Sequence, residues 1–311
     1  VIGTHALLED YVQFHRLGLV IVDEQHRFGV KQRSQLKEKA VVPHLLVMSA
    51  TPIPRTLALI LYGDLDISTL KELPKNRKKV LTYSVDESFR QRINNFIQKI
   101  VVKGEQAFVV CPAIYENDVL DVTNVLTKYE QLQTDIPSVK SAVLHGKMKK
   151  VEKNEVMEKF INNEISVLVT TSIIEVGIDI PNATLMVIED AQQFGLSQLH
   201  QLRGRVGRSD KQSYCILFNQ SSSDISKKRM DVMVQSNDGF YISEQDLLLR
   251  GPGDFFGTKQ HGLPDFKIAN LYTDMDILKD AQKAVQEEIR NNAIYRQLLG
   301  RELDYLSKAK L

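Results

Sequence analysis

The feature that most constrains the fold is a set of short apolar runs in which polar residues do not alternate with apolar ones. Strands that are covered on both faces show this pattern, and such strands form parallel sheets. Amphipathic stretches at 88–104 and 149–164 separate some of the runs and predict helices. Strands that alternate with helices predict an α/β fold with crossover connections. The runs lie at 18–24, 44–50, 106–113, 139–146, 165–172, 183–190 and 212–219.

Changes in composition divide the chain into predicted segments. A length of 311 residues suits two or three domains. We predict a linker at 73–80, where a proline, an asparagine and four basic residues separate two strand–helix series. A serine-rich stretch begins near residue 220 and is followed by a Gly/Pro-rich helix and loop at 243–266 and a helical pattern at 274–311. The predicted segments are 1–74, 75–225 and 226–311.

The composition excludes several classes of protein. The net charge of +1 at pH 7 excludes a chain that is basic over its whole surface, although a local groove can still be positive. No apolar run approaches the roughly 20 residues that a membrane span needs. Cys111 and Cys215 lie inside apolar runs. We expect them to be buried thiols, because disulfide frameworks and zinc sites use more cysteines at closer spacing.

An acidic pair, Asp23 and Glu24, follows the first apolar run. Ligands of α/β sheets bind at the carboxyl ends of strands, and adjacent acids there suit phosphoryl transfer. We expect Asp23 to hold Mg²⁺ through water and Glu24 to polarise the attacking water, with His26 close enough to sense a γ-phosphate. Ser49 and Thr51 lie at the end of the next run, where we expect their hydroxyls to hydrogen-bond the acids. The alternatives are a helix cap for the acids and a plain proline-rich turn after Ser49.

A second cluster contains Arg203, Arg205 and Arg208, with Gly204 and Gly207 between them. Guanidinium forks match phosphate oxygens and stay charged, so they stabilise a transferring phosphoryl group. We predict that Arg205 and Arg208, three positions apart, lie on one helical face. The glycines are expected to let the backbone approach a nucleotide or a second lobe closely. The alternative is a basic surface patch.

Other polar residues follow predicted strands. Thr170 and Thr171 end one strand, and His145 with Gly146 follows another; we predict that these four contact a nucleic-acid backbone. A tight acidic turn contains Glu175, Gly177 and Asp179, and it is expected to contact a ribose.

Five motifs in this order and spacing resemble those of superfamily 2 helicases: DEQH at 23–26, SAT at 49–51, VLHGKM at 143–148, TTSIIEVGIDIP at 170–181 and QLRGRVGR at 201–208. Within that superfamily, GTHALL at 3–8 and LRGPGDFFGTKQHGLP at 249–264 resemble the RecG family of bacterial branch-migration helicases. The related Mfd translocases share the Arg-Gly-x-Gly segment. The segment Phe255-Phe256-Gly257-Thr258 favours the RecG family over the Mfd translocases.

The resemblance implies two RecA-like parallel-sheet lobes, the first of them incomplete, followed by a helical hairpin with a loop and by C-terminal helices. It implies ATP and Mg²⁺ as cofactors, branched or duplex DNA as partner, no membrane, a monomer, and a place in the bacterial cytoplasm with the nucleoid. Arg205 and Arg208 would be arginine fingers. The remaining residues that the resemblance assigns are Gly177, Asp179 and Gln201 for the nucleotide, Arg250 and Gln260 for coupling, and Thr4 and His5 for the DNA-facing edge.

One expected motif is missing from the sequence. The phosphate-gripping loop G-x-x-x-x-G-K-[ST] needs a Gly-Lys pair, and the one such pair, Gly146-Lys147, is followed by Met148 and has Ser141 in place of the first glycine. We therefore expect the chain to be the C-terminal motor portion of a larger protein and not to turn over ATP alone. The alternatives are a non-catalytic DNA-binding module and an Mfd-like motor that acts on RNA polymerase.

Overall fold

The structure is a computed structural model. It describes residues 1–9, 11–23, 44–49, 68–70, 72, 77–112, 118–171, 179–255 and 275–291. The chain divides into two compact units, the first of Val1–Ile53 with Thr69–Phe255 and the second of Pro54–Ser68 with Phe256–Leu311. No helix among the described residues is long and apolar enough to cross a membrane.

Two strands of the first unit form a small parallel sheet. Strand β1, Leu19–Val22, pairs with β2, His44–Val47, so that Val22 lies beside Val47. The backbone N–H of Met48 continues the ladder by donating to the Val22 carbonyl at 2.8 Å. Both strands were predicted from apolar runs, and both are confirmed.

Six further strands form a parallel sheet in the order β3-β8-β7-β4-β6-β5. Every neighbouring pair in it is parallel, which confirms the predicted fold class. The chain leaves β4 towards β5 on one side of the sheet and leaves β7 towards β8 on the other, so β4 and β7 flank the point where strand order reverses. The strands are β3, Leu81–Val85; β4, Gln106–Cys111; β5, Ser141–Leu144; β6, Val167–Thr171; β7, Ala183–Ile188; and β8, Tyr214–Phe218.

Helices cover both faces of this sheet, because alternate residues of each strand enter different cores. In β4, Phe108 and Val110 belong to one core, whereas Ala107 and Val109 belong to the other. Strands buried on both faces need apolar residues at every position, which explains the uninterrupted runs. The described α-helices are α1, Arg90–Val102; α2, Asp118–Asp135; α3, Lys150–Ile161; α4, Leu196–Arg203; α5, Asp224–Gln235; α6, Gly239–Phe255; and α7, Met275–Asn291.

Both cysteines are buried free thiols, as predicted. Cys111 ends β4 and Cys215 lies in β8, and burial raises the pKa of each thiol to about 12. At neutral pH both therefore remain protonated and behave as small apolar side chains.

Three elements were not predicted from the sequence. Strand β3 lies at the edge of the sheet and three of its five residues are exposed, so it has no continuous apolar run. Helix α2 follows β4 in the chain, and the sequence pattern predicted no helix there. Helix α5 begins in the serine-rich stretch, where the Ser223 side chain accepts a hydrogen bond from the Ser226 N–H at 3.2 Å. That stretch is a helix start and not a loop.

Candidate functional site

Asp23 and Ser49, the first residues of the acidic motif and of the SAT motif, lie at the carboxyl edge of the small sheet. Asp23 directly follows β1 and Ser49 closely follows β2, and the parallel register of the two strands places both residues at the same edge. Both are exposed. This confirms the predicted neighbouring position of the two motifs. Glu24, His26 and Thr51 lie outside the described residues, and the catalytic roles stay predictions.

Thr4 is exposed and precedes a short 3-10 helix, His5–Leu8. Its carbonyl accepts a hydrogen bond from the Leu7 N–H at 3.0 Å, and its hydroxyl makes no helix-capping bond. The side chain of His5 lies outside the description. The predicted DNA-facing role of these two residues is untested.

The arginine loop, which we define as residues 204–208, follows helix α4. The prediction that Arg205 and Arg208 share a helical face is wrong, because α4 ends at Arg203. Gly204 caps the helix, and Gly207 has a φ of 74°, which an α-helix does not accommodate. The two arginines therefore extend from a loop between α4 and β8.

Packing explains the glycine at position 207. A Cβ atom there would lie 2.7 Å from Cγ2 of Val80, and the positive φ also disfavours any other residue. The Arg77 Nε donates to the Gly207 carbonyl at 2.8 Å. The close approach that the sequence predicted at this glycine is thus to the residues just before β3.

Two predicted site residues meet at the amino edge of the six-stranded sheet. The Arg208 guanidinium lies 3.4 Å from Oδ1 of Asp179, and its Nε donates to the Gly204 carbonyl at 3.2 Å. The pair is accessible, with 31% of the Arg208 side chain and 59% of the Asp179 side chain exposed. Gln201 is exposed on α4 and Arg205 is partly buried. Gly177 lies outside the described residues.

Arg203 has a different role from the two arginines that follow it. It is 2% exposed and donates to the carbonyls of Met233 and Ser236, both at 2.8 Å. It also contacts Nδ1 of His200 at 3.0 Å, and burial with this neighbouring cation lowers the pKa of His200 to about 4. Arg203 therefore ties the end of α4 to the end of α5. The sequence grouped it with the loop, and its burial has no local sequence signal.

At the carboxyl edge of the same sheet, His145 and Gly146 follow β5. Burial and the nearby Lys153 and Lys147 lower the pKa of His145, whose Nδ1 has no hydrogen-bond partner among the described residues. Lys153 donates through Nζ to the Gly146 carbonyl at 2.8 Å. Together with Lys149 and Lys150, these two lysines make this corner basic, a feature that the prediction did not use.

Thr170 and Thr171 end β6 and are 0% and 3% exposed. The Thr170 hydroxyl donates to the Thr171 carbonyl at 3.0 Å, and the Thr171 hydroxyl has no hydrogen-bond partner within the part of the chain that is described. The predicted contact of these hydroxyls with DNA stays a prediction.

Of the predicted coupling residues, Arg250 belongs to helix α6, and its side chain lies outside the description, as does Gln260. Helix α6 is linked to α4, because the Ser197 hydroxyl donates to Oδ2 of Asp246 at 3.1 Å. Side chains thus link α4 to its neighbours at two points, Arg203 to the end of α5 and Ser197 to α6.

Three family models match successive parts of the chain. The DEAD/DEAH box helicase model matches residues 1–60, the helicase conserved C-terminal domain matches 91–210, and the model for RecG domain 3, C-terminal, matches 236–310.

Solved structures agree with these matches. A structure of RecG bound to a three-way DNA junction covers 89% of this chain at 43% identity with a TM-score of 0.68, and the match spans 36% of that chain. Yeast Dbp5 bound to RNA and ADP BeF3 shares the fold at 15% identity, with a TM-score of 0.53.

Curated relatives match over nearly the whole chain. RecG of Staphylococcus aureus strain NCTC 8325 is 50% identical over 95% of the chain, and RecG of Bacillus subtilis strain 168 is 48% identical over 96%. The chain spans 43% and 44% of the length of these two relatives.

The parallel sheet, the arginine loop and the helicase family models define the class, which is superfamily 2 helicases. Within that class the chain belongs to the RecG family, as the identity to RecG over nearly its whole length and the RecG-specific model over 236–310 show. The predicted resemblance to RecG is therefore confirmed, and the Mfd-like alternative is not favoured.

Proposed function

We propose that the chain forms part of the motor of an ATP-dependent DNA helicase that remodels branched DNA such as stalled forks and Holliday junctions. The observation that carries this proposal is the arginine loop of a RecG-family chain, with Arg208 paired to Asp179 at an accessible sheet edge. An exposed arginine whose one ion pair is weak can exchange that carboxylate for a phosphate. The chain supplies residues to the helicase activity of the whole protein. That protein works as a monomer in the bacterial cytoplasm.

ATP and Mg²⁺ are the cofactors that we assign to this activity. The donor set fits a nucleotide, because guanidinium groups bind phosphate oxygens and carboxylates bind hydrated Mg²⁺. Asp23 would hold Mg²⁺ through water, Glu24 would orient the attacking water, and His26 would sense the γ-phosphate. Arg205 and Arg208 would neutralise charge that develops on the transferring group. Gly177, Asp179 and Gln201 would position the nucleotide, with Asp179 also holding Arg208 until the nucleotide arrives.

The carboxyl edge of the six-stranded sheet is the DNA edge in this proposal. His145 and Gly146 lie there beside exposed lysines at 147, 149 and 150, and lysine ammonium groups bind backbone phosphates. Thr170 and Thr171 would contribute through the strand end that they form. Thr4 and His5 would contact DNA from the first segment.

We assign the coupling of ATP hydrolysis to movement along DNA to four residues, Ser49, Thr51, Arg250 and Gln260. We propose the segments 1–74 for the first lobe, 75–225 for the second lobe and 226–311 for the translocation hairpin, loop and C-terminal helices. Each of the three family matches lies within one of these segments, which supports the division. The contacts of α4 with α5 through Arg203 and with α6 through Ser197 would connect the proposed hairpin to the proposed nucleotide site.

The proposal is tested by replacing the fingers in a full-length RecG protein that includes these 311 residues. Arg205→Ala and Arg208→Ala should each lower DNA-stimulated ATP hydrolysis by about 10³-fold or more, because arginine fingers contribute about 10³–10⁵ in rate in related nucleotide hydrolases. Arg92→Ala is the matched control, since Arg92 is exposed on α1 and outside the site. If either finger variant keeps more than about a tenth of the activity, the assigned role is wrong.

A further inference from the structure

A polar crevice of about 330 Å³ opens at the carboxyl edge of the six-stranded sheet. It lies where β4 and β7 end, and these strands flank the point at which strand order reverses. Crevices at that position are where open α/β sheets bind ligands. None of the residues assigned above to ATP or DNA lines this crevice.

An ion cluster fills one wall of the crevice. Arg90 of α1 donates through both terminal nitrogens to the two oxygens of Glu189, at 2.6 and 2.8 Å. The Lys128 Nζ lies 2.9 Å from the same carboxylate. Glu87 holds the other side of Arg90 at 2.8 Å, and the guanidinium stacks 3.7 Å from the centre of the Phe218 ring. Three neighbours, Glu189, Glu87 and Phe218, thus fix the orientation of Arg90.

This geometry is that of an oxyanion site. A planar fork from arginine and a point charge from lysine converge on one group with two oxygens, and the same arrangement binds phosphate. The group in place is the chain's own Glu189, whose side chain is 9% exposed. Arg90 and Lys128 keep 18% and 14% of their side chains exposed towards solvent, so a ligand can reach them from the crevice.

We propose that Arg90 and Lys128 form a latent site for a phosphodiester of DNA, which Glu189 occupies as an internal phosphate mimic until DNA displaces it. This inference rests on the proposed function, because it places one more backbone contact along the DNA edge. The crevice shares that edge with His145 and Thr171, since all parallel strands end there.

The local charges explain why displacement is needed. Glu87, Glu189 and Asp190 face Arg90 and Lys128 around the crevice, so the cluster carries one more negative than positive charge. A phosphodiester added to this set would be repelled, whereas a phosphodiester that replaces the Glu189 carboxylate leaves the charge unchanged. The exchange therefore depends on Glu189 turning out of the crevice.

The first test removes the internal mimic and needs no DNA. Glu189→Gln keeps the size of the side chain and frees the two cations. Pyrophosphate, with ionic strength matched by KCl, should raise the Tm of this variant by about 3 °C or more beyond its effect on the original chain, because a ligand of the folded state stabilises it. Glu164→Gln, at an exposed position before β6, is the control of equal charge. Equal shifts in all three proteins would overturn the oxyanion site.

The second test identifies DNA as the source of the phosphate. The affinity of the chain for a short duplex is measured as a function of salt. Lys128→Gln should weaken binding and reduce the slope of log K against log salt by about 0.9, the value for one phosphate contact. Glu189→Gln should bind more tightly than the original chain at low salt. If Lys128→Gln leaves the slope unchanged while pyrophosphate still stabilises Glu189→Gln, the site takes a free phosphate and the assignment to DNA is wrong.

Failure of this inference is distinguishable from failure of the proposed function. A chain that binds duplex with the same salt slope in all variants keeps its DNA role and loses only the latent site. A chain that binds no duplex at all, with pyrophosphate acting on Glu189→Gln alone, contradicts the DNA role and the phosphodiester assignment, while the oxyanion site itself stands.

Discussion

The two edges of the six-stranded sheet hold their charges in different ways. At the amino edge, Arg208 and Asp179 form one ion pair whose side chains are 31% and 59% exposed. At the carboxyl edge, Glu189 is 9% exposed and is held by two cations within 2.9 Å. Exposed pairs contribute little to stability, whereas breaking a buried pair is costly. Arg208 can therefore leave Asp179 for a ligand with little loss of stability. Arg90 and Lys128 need an anion between them, so another anion has to replace Glu189 if that carboxylate moves away.

The first prediction concerns Arg203, the buried arginine near the amino edge. Arg203→Met removes the donors to the buried Met233 carbonyl and to the partly buried Ser236 carbonyl. We expect the free energy of unfolding, measured with urea, to fall by about 3 kcal/mol. Arg92→Met, on an exposed face of α1, should change it by no more than about 0.5 kcal/mol. A loss below about 1 kcal/mol for Arg203→Met would show that this edge does not depend on its buried arginine.

The second prediction compares the two edges directly. Glu189→Gln leaves Arg90 and Lys128 without their shared carboxylate in a largely buried setting. We expect this change to lower the free energy of unfolding by about 2 kcal/mol. Asp179→Asn breaks an exposed pair and should change it by no more than about 0.5 kcal/mol. Both are measured by urea unfolding in the same buffer, and equal losses would remove the distinction between the edges.

The third prediction concerns the backbone of the arginine loop. Gly207 and Gly104 have φ values of 74° and 77°, but only the Cβ at 207 would meet another atom closely, Cγ2 of Val80 at 2.7 Å. Gly104→Ala should therefore cost about 1 kcal/mol for the backbone alone, and Gly207→Ala about 2 kcal/mol for backbone and clash together. Thermal unfolding of the two variants measures the difference, and indistinguishable values would mean that Val80 moves aside freely.

The sequence predicted the parallel sheet well because its strands are buried on both faces. Such strands need apolar residues at every position, as in β4, and this leaves a continuous run that is easy to identify. Strand β3 was missed because it lies at the edge of the sheet and most of its residues are exposed, which leaves no continuous apolar run. The start of α5 was missed because serine favours both loops and helix starts, and only the helix that follows decides between them.

The sequence predicted only those site residues that belong to recognisable motifs. The motifs assigned both Asp179 and Arg208 to the nucleotide, and the fold brings these two residues together from positions 29 apart. They placed Arg203 with the exposed arginines, because burial depends on α5 and on β3 and not on neighbouring residues. The contact of Arg90 with Glu189 joins positions 99 apart and belongs to no motif. Contacts of that range follow from the topology of the sheet and have no local signal.

In the proposed function, DNA binds at the carboxyl edge of the six-stranded sheet and the nucleotide binds at its amino edge. The most direct test is the salt dependence of duplex binding by the 311-residue chain in which Lys147, Lys149 and Lys150 are all changed to Gln, compared with Arg208→Ala. We expect the triple variant to lose about 2 to 3 from the slope of log K against log salt, because each lysine that binds a phosphate contributes about 0.9. Arg208→Ala should keep the original slope. An unchanged slope in the triple variant, or an equal loss in Arg208→Ala, would contradict the separation of the two edges.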